Sequence, residues 1–199
     1  MTKQSKPSLL IWGVPLVVIL AVVAAFVVNS AEQSRSQLPI LGEVPSFRLT
    51  ASNGEEFTRT DLNGRLHVVN FMFTRCQGVC PTMSANIKKM YDLYRGSDKV
   101  RFLSITVDPD YDTLEVLRTY ADGFGVNDGR WIFARGPLVD VAVLLEHGFM
   151  LDASDLPSNH PSYLILVDDK GQIRGFYSYN DDDELTALRD NVRNLARSM

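Results

Sequence analysis

Two cysteines, Cys76 and Cys80, stand in the run NFMFTRCQGVCPTMSANIKKMYDLY (residues 70–94), and the chain has no others. Three residues separate them. A pair of thiols so spaced can close a disulfide, exchange electrons, or hold a metal ion. A disulfide across so short a loop stabilises by less than the ~3 kcal/mol expected for a loop of about 15 residues, so a purely structural staple would span more chain. Redox enzymes built on this strand-to-helix position use C-x-x-C. Here Gln77, Gly78 and Val79 intervene, and the additional residue loosens the pair. Two thiolates on such a loop suit one soft ion, and copper in its cuprous state prefers thiolate and imidazole. A third ligand is then expected from elsewhere in the chain.

There are three histidines to choose from. His67 opens an apolar run at the end remote from Cys76 and reads as structural. His147 precedes Gly148 in the last turn of an expected helix, where a cation is favoured in any case. His160 lies in LPSNHPSY, an irregular stretch with two prolines ahead of an apolar run. Position alone leaves it evenly balanced between a solvated loop residue and a ligand. Asp108, in TVDPD, follows a strand-like run and stands either near the cysteines or as a turn-forming Asp-Pro. Met83 and Met90 recur on the inward helical face and read as core.

The elements that must position these residues alternate between strand-like and helix-like patterns. His67–Phe73 and Val100–Val107 are apolar runs rich in β-formers, as buried central strands require. Arg130–Ala134 is a shorter third. Ser162–Asp168 and Ile173–Tyr179 flank the turn signal DKGQ and read as a hairpin. FRLT and EEF, near residues 47–57, add a small ribbon. Helices fill the gaps. Pro81 suits a first helical position, followed by Met83, Ile87, Met90 and Tyr94 at helical spacing. Asp112 with Glu115 resembles a capping box opening a helix that carries Leu117, Tyr120, Ala121 and Phe124 on one face. Pro137 opens a third helix, with Leu138, Val141, Ala142 and Leu145 inward and Gly148 as C-cap. The acidic run NDDDE (180–184) opens the last, where it favours the positive end of the helix dipole. The order predicts an α/β thioredoxin-like fold, a central mixed sheet flanked by helices. Cys76 then ends a central strand and Cys80 begins a helix, beyond the carboxyl ends of strands, where ligands bind and helix amides stabilise a thiolate.

The N-terminus has another character. Residues 9–28 carry no charge, and 20 residues is the length a helix needs to cross a hydrocarbon core of roughly 30 Å. Lys3 and Lys6 precede it. Without those two, 20 Lys+Arg become 18 against 24 Asp+Glu, a net of −6 for the remainder. A basic flank inside and a long acidic domain outside is the orientation the positive-inside rule favours. The expectation is a cytoplasmic N-terminus at 1–8, a single transmembrane helix at 9–28, a polar linker at 29–39, and a domain at 40–199 on the periplasmic side of the inner membrane. A cleaved signal peptide ending near Ala31 is the rival, but the apolar run exceeds the usual h-region. An acidic domain without a basic cluster excludes nucleic acid as a partner.

CQGVCP, then SITVDPDYDTLEVLRTYA, then a loop histidine followed by YLILVDDKG, resemble the Sco/SenC family over roughly residues 40–197. The resemblance implies a thioredoxin-like domain outside the membrane that binds one copper ion through Cys76, Cys80 and His160. It implies a role in delivering copper to the binuclear copper site of cytochrome c oxidase, or in keeping that site's cysteines reduced. The partner would be the copper-site subunit of a respiratory oxidase, with another periplasmic copper chaperone or a thiol reductant as a further one. A thiol–disulfide reductase and a copper or redox sensor are the alternatives, since both use the same cysteines. The sequence departs from the family pattern at Gln77, where proline is usual, at Tyr111 and Leu114, where arginine and proline are common, and at Asn159, where aspartate often precedes the ligand histidine. These changes surround the ligands and leave the ligand set intact.

Overall fold

The computed structural model describes residues 19, 21–24, 38–126 and 128–199. Residues 19 and 21–24 are helical. The rest of the expected transmembrane run lies outside the described residues, and among the described residues no helix is long and apolar enough to cross a membrane. The compact unit runs from Leu38 to Met199.

Its strands are β1 (Gly42–Glu43), β2 (Arg48–Ala51), β3 (Glu56–Thr58), β4 (Leu66–Met72), β5 (Val100–Thr106), β6 (Trp131–Arg135), β7 (Tyr163–Val167) and β8 (Gln172–Ser178). Among the described residues three α-helices connect them, α1 (Val79–Leu93), α2 (Leu114–Gly123) and α3 (Leu138–Val143), and α4 (Asp182–Ser198) follows the last strand. All eight strands join one sheet in the order β1-β8-β7-β4-β5-β6-β2-β3. The pairs β4–β5 and β5–β6 are parallel, and the others are antiparallel, so the sheet is mixed as expected. β7 and β8 form the hairpin. The ribbon β2–β3 forms too, and it extends the sheet beyond β6.

β4 is buried along all 7 residues, because both faces of the sheet are covered. Leu66 and Val68 face a core closed by Met83, Ile87 and Met90 of α1, Leu117 of α2 and Leu188 of α4. Val69 and Phe71 face the opposite core with Val141, Leu144 and Phe149. Met83 and Met90 are thus core residues, 0% and 3% exposed.

Three local readings change. α1 begins two residues earlier than expected, at Val79, so Pro81 is its third residue, still within the turn whose amides have no helical partner. α2 is capped by Thr113, whose side chain accepts from the Val116 amide; Asp112 turns inward instead and is fully buried. α3 is followed by a π-helical turn, Leu144–Gly148, capped by Phe149. Gly148 serves close packing there: a Cβ would come within 2.9 Å of Pro45 and of Leu144.

Candidate metal centre

β4 ends at Met72, and the chain turns through Phe73–Gly78 before α1 begins. This turn carries Cys76, half-buried, while Cys80 lies in the first turn of α1 and is 1% exposed. Both thiols are free. No side chain caps α1. The amides at its start therefore remain available, and the sulfur of Cys76 lies over them. Burial pushes the Cys76 thiol up. Hydrogen bonds from the Cys80 amide, the Cys80 thiol and the amides of Gly78 and Val79 outweigh it, and its pKa lies below the ordinary thiol value. Cys80 behaves in the opposite way. Burial, then the bond and the charge of Cys76, push it up to about 12 despite a backbone bond at Phe73.

The third group arrives from the far end of the chain. The segment between the π-helical turn and β7 folds back over the carboxyl end of β4 and buries His160 to 6% exposure. Its Nε2 lies 3.3 Å from Cys80 Sγ, and its ring stands edge-on to Phe73, 5.4 Å between centroids. Nδ1 lies 3.2 Å from the Pro161 carbonyl oxygen, which only accepts. A proton on Nδ1 satisfies that carbonyl and leaves the Nε2 lone pair toward the thiols. Burial lowers the His160 pKa against backbone bonds at Pro161 and Phe71, which favours the neutral ring, the form that ligates a metal.

The ligand atoms of Cys76, Cys80 and His160 all lie within 4.8 Å of one another. Among the described residues no other His, Cys, Asp and Glu side chains form such a group. Two sulfurs and one imidazole nitrogen are the donor set of a soft, low-coordinate ion. The other histidines stay away. His67 is buried in β4, its Nδ1 3.2 Å from the Arg65 carbonyl, and burial pulls its pKa down to about 4. His147 is exposed in the π-helical turn and lines a groove with Pro45 and Phe47.

Asp108 fulfils both readings. Its carbonyl accepts from the Tyr111 and Asp112 amides in a turn. Its side chain pairs with Arg75, the residue before Cys76, at 2.7 Å. The Arg75 guanidinium also stacks on Tyr111, 4.8 Å from the ring centroid, so the departure at Tyr111 is packed against the cysteine turn. Sequence reasoning missed the Phe73 ring and the Pro161 carbonyl, the two groups that orient His160. Adjacency in sequence to a cysteine turn and to a candidate ligand was the available signal.

The SCO1/SenC family matches residues 38–196. The SCO1 protein homolog of Bacillus subtilis is 27% identical over 99 residues, 49% of this chain and 51% of its own, so the chain spans about half the length of that curated relative. A SCO1/SenC family lipoprotein from Bacillus anthracis superposes with a TM-score of 0.72 at 29% identity, covering 79% of this chain and 97% of that one. BsSco, described as a member of the Sco family of cytochrome c oxidase assembly proteins with a disulfide switch, gives 0.72 at 21% identity over 82% and 99%. ScoI of Bradyrhizobium japonicum, solved with copper bound, gives 0.61 at 23% over 75% and 99%. The last two are likenesses of fold.

Proposed function

The chain belongs to the SCO1/SenC family, and on that premise we propose that it is a membrane-anchored copper metallochaperone assisting assembly of the binuclear copper site of cytochrome c oxidase. The observation that carries the reading is the approach of Cys76 Sγ, Cys80 Sγ and a His160 ring nitrogen to within 4.8 Å of one another. One cuprous ion is the cargo. The buried Cys80 and His160 form its floor, and Cys76 faces outward. A ligand of the oxidase's copper-site subunit reaches the ion from the Cys76 side, and transfer proceeds by ligand exchange without free copper. The charge-free run at residues 9–28 behind two lysines supports a single-pass anchor in the cytoplasmic membrane, with the domain on the extracytoplasmic side.

A second reading, thiol–disulfide reductase of the oxidase cysteines, is favoured by one observation: a lowered pKa at half-buried Cys76 beside a raised one at buried Cys80, an attacking thiol and a protected one. His160 separates the two. Its removal leaves both thiols able to form a disulfide, whereas a three-ligand site loses an imidazole. In cells producing the full chain as His160→Ala, oxidase copper is expected to fall nearly as far as in Cys76→Ala. Normal oxidase assembly in His160→Ala, at equal protein level and without added copper, refutes copper carriage and favours the reductase. In the same cells the wild-type chain is expected to stay in membranes through an alkaline wash; recovery as a soluble chain starting near Ala31 refutes the anchor.

A further inference from the structure

Asp112 is 0% exposed, and among the described residues it forms no ion pair with a basic side chain. Its carboxylate accepts hydrogen bonds from two strand ends at once. Oδ2 accepts the Thr74 amide at 3.1 Å and the Thr106 hydroxyl, and Oδ1 accepts the Thr74 hydroxyl. Thr106 Oγ1 in turn accepts from the Asp108 amide at 3.0 Å. The Asp112 amide donates to the Asp108 carbonyl at 2.9 Å, which fixes the carboxylate's own backbone. Thr74 lies in the cysteine turn, two residues before Cys76; Thr106 is the last residue of β5.

A carboxylate taken out of water needs compensation for lost hydration, and here the compensation comes from the cysteine turn and the end of β5. The turn after β4 is irregular and has few backbone bonds of its own; the Cys76 amide reaches the Phe73 carbonyl at 3.2 Å, a long contact. Outside this clamp, the Arg75–Asp108 ion pair is half-exposed on its arginine side and so weakly stabilising. We infer that Asp112 is a positioning residue for the metal centre: acting through Thr74, it holds the Cys76 arm at the distance from Cys80 and His160 that one ion spans. This rests on the reading of Cys76 as a ligand and adds to it the group that sets where that ligand stands.

The test uses the full-length chain as Asp112→Asn, Thr74→Val and the double variant, with Thr113→Ala as a neighbour that only caps α2. Two quantities are read: cuprous-ion affinity by chelator competition, and amide hydrogen exchange of the peptide covering residues 73–79 in the metal-free chain. Each single clamp variant is expected to weaken affinity about tenfold, the equilibrium worth of one charged hydrogen bond. Exchange in residues 73–79 is expected to rise by a similar factor, with α4 unchanged, and the double variant to be no weaker than the worse single one. Thr113→Ala should leave affinity within about twofold, since a cap acts on the helix. Affinity and exchange unchanged in Asp112→Asn overturn the inference, as do losses that multiply in the double variant. Should Asp112→Asn fail to fold, Thr74→Val decides alone: retained affinity and protection overturn the clamp. A wild-type chain that takes up no cuprous ion overturns the functional reading, and the exchange measurement still decides whether the clamp exists.

Discussion

Cys80 keeps its proton through the neutral range, because burial pushes its pKa up to about 12. Cys76 lies below the ordinary thiol value, and burial favours the neutral ring of His160. A cuprous ion bound by both sulfurs must displace every proton they carry. Raising pH removes that competitor, so affinity rises with pH. Between about pH 7 and 9 the Cys80 proton alone predicts roughly a tenfold gain per pH unit, and any proton still on Cys76 steepens it. Competition titrations at a series of pH values measure the slope; a flat profile would show that Cys80 is not a ligand. The pair of thiols was legible in the sequence from type and spacing. Their opposite proton affinities were not, because these depend on which sulfur lies over the α1 amides and which lies beneath the His160 segment.

Among the elements, α3 differs most from its sequence pattern. Proline at its start and glycine at its end suggested one helix with a glycine cap. The helix instead widens into a π-helical turn, and Gly148 is buried against Pro45. The next residue, Phe149, packs edge-on to Phe71 of β4, 5.3 Å between centroids, and from there the chain runs out toward His160. Adding a methyl group at Gly148 forces either Pro45 or Leu144 aside. Gly148→Ala is expected to destabilise the protein by about 1–3 kcal/mol, the usual cost of overpacking a filled site. Urea denaturation checks this, and an unchanged midpoint would mean that the Pro45 segment yields freely. The Asp112 reading failed for a related reason. D-x-x-E has the spacing of a capping box, but Thr113 occupies the cap and two threonines from other elements claim the aspartate. Sequence spacing cannot report a partner such as Thr74, 38 residues away.

For the molecule as a whole, the sheet is held from both edges by the N-terminal segment, with β1 on β8 and β2 on β6. His67 sits inside that sheet, 1% exposed, near Phe57 of β3. Its pKa is about 4 in the folded chain against 6.5 for the ordinary group, with burial as the first cause. Above pH 6.5 both folded and unfolded chains hold it neutral, and it contributes nothing to pH dependence. Below that value the unfolded chain takes up a proton that the folded chain refuses. Stability is therefore lost as pH falls from about 6.5 to about 4, by about 3 kcal/mol in total. His67→Phe removes this proton and should flatten that part of the profile. Equal acid sensitivity in both proteins, followed by denaturant unfolding across the window, would show that His67 is not its source.

The sequence by itself determined the order of strands and helices, the mixed sheet, the core methionines and the placing of two thiols at a strand-to-helix junction. Those features follow from hydrophobic period, turn residues and proline, which act within a few residues of themselves. His160 was even on position alone and needed the family resemblance, because a loop histidine carries no local mark of where its loop goes. Only the tertiary structure decided that the His160 ring meets Cys80 across 80 residues of chain, that the Pro161 carbonyl turns Nε2 toward the sulfurs, and that Asp112 reaches Thr74 and Thr106. The Cys80–His160 and Asp112–Thr74 approaches join distant segments, and the local contacts at Pro161 and Thr106 act on side chains that those approaches hold in place. Burying both faces of the sheet brings those segments together at the carboxyl end of β4, and desolvation there gives each polar group a requirement that only a partner from another segment meets.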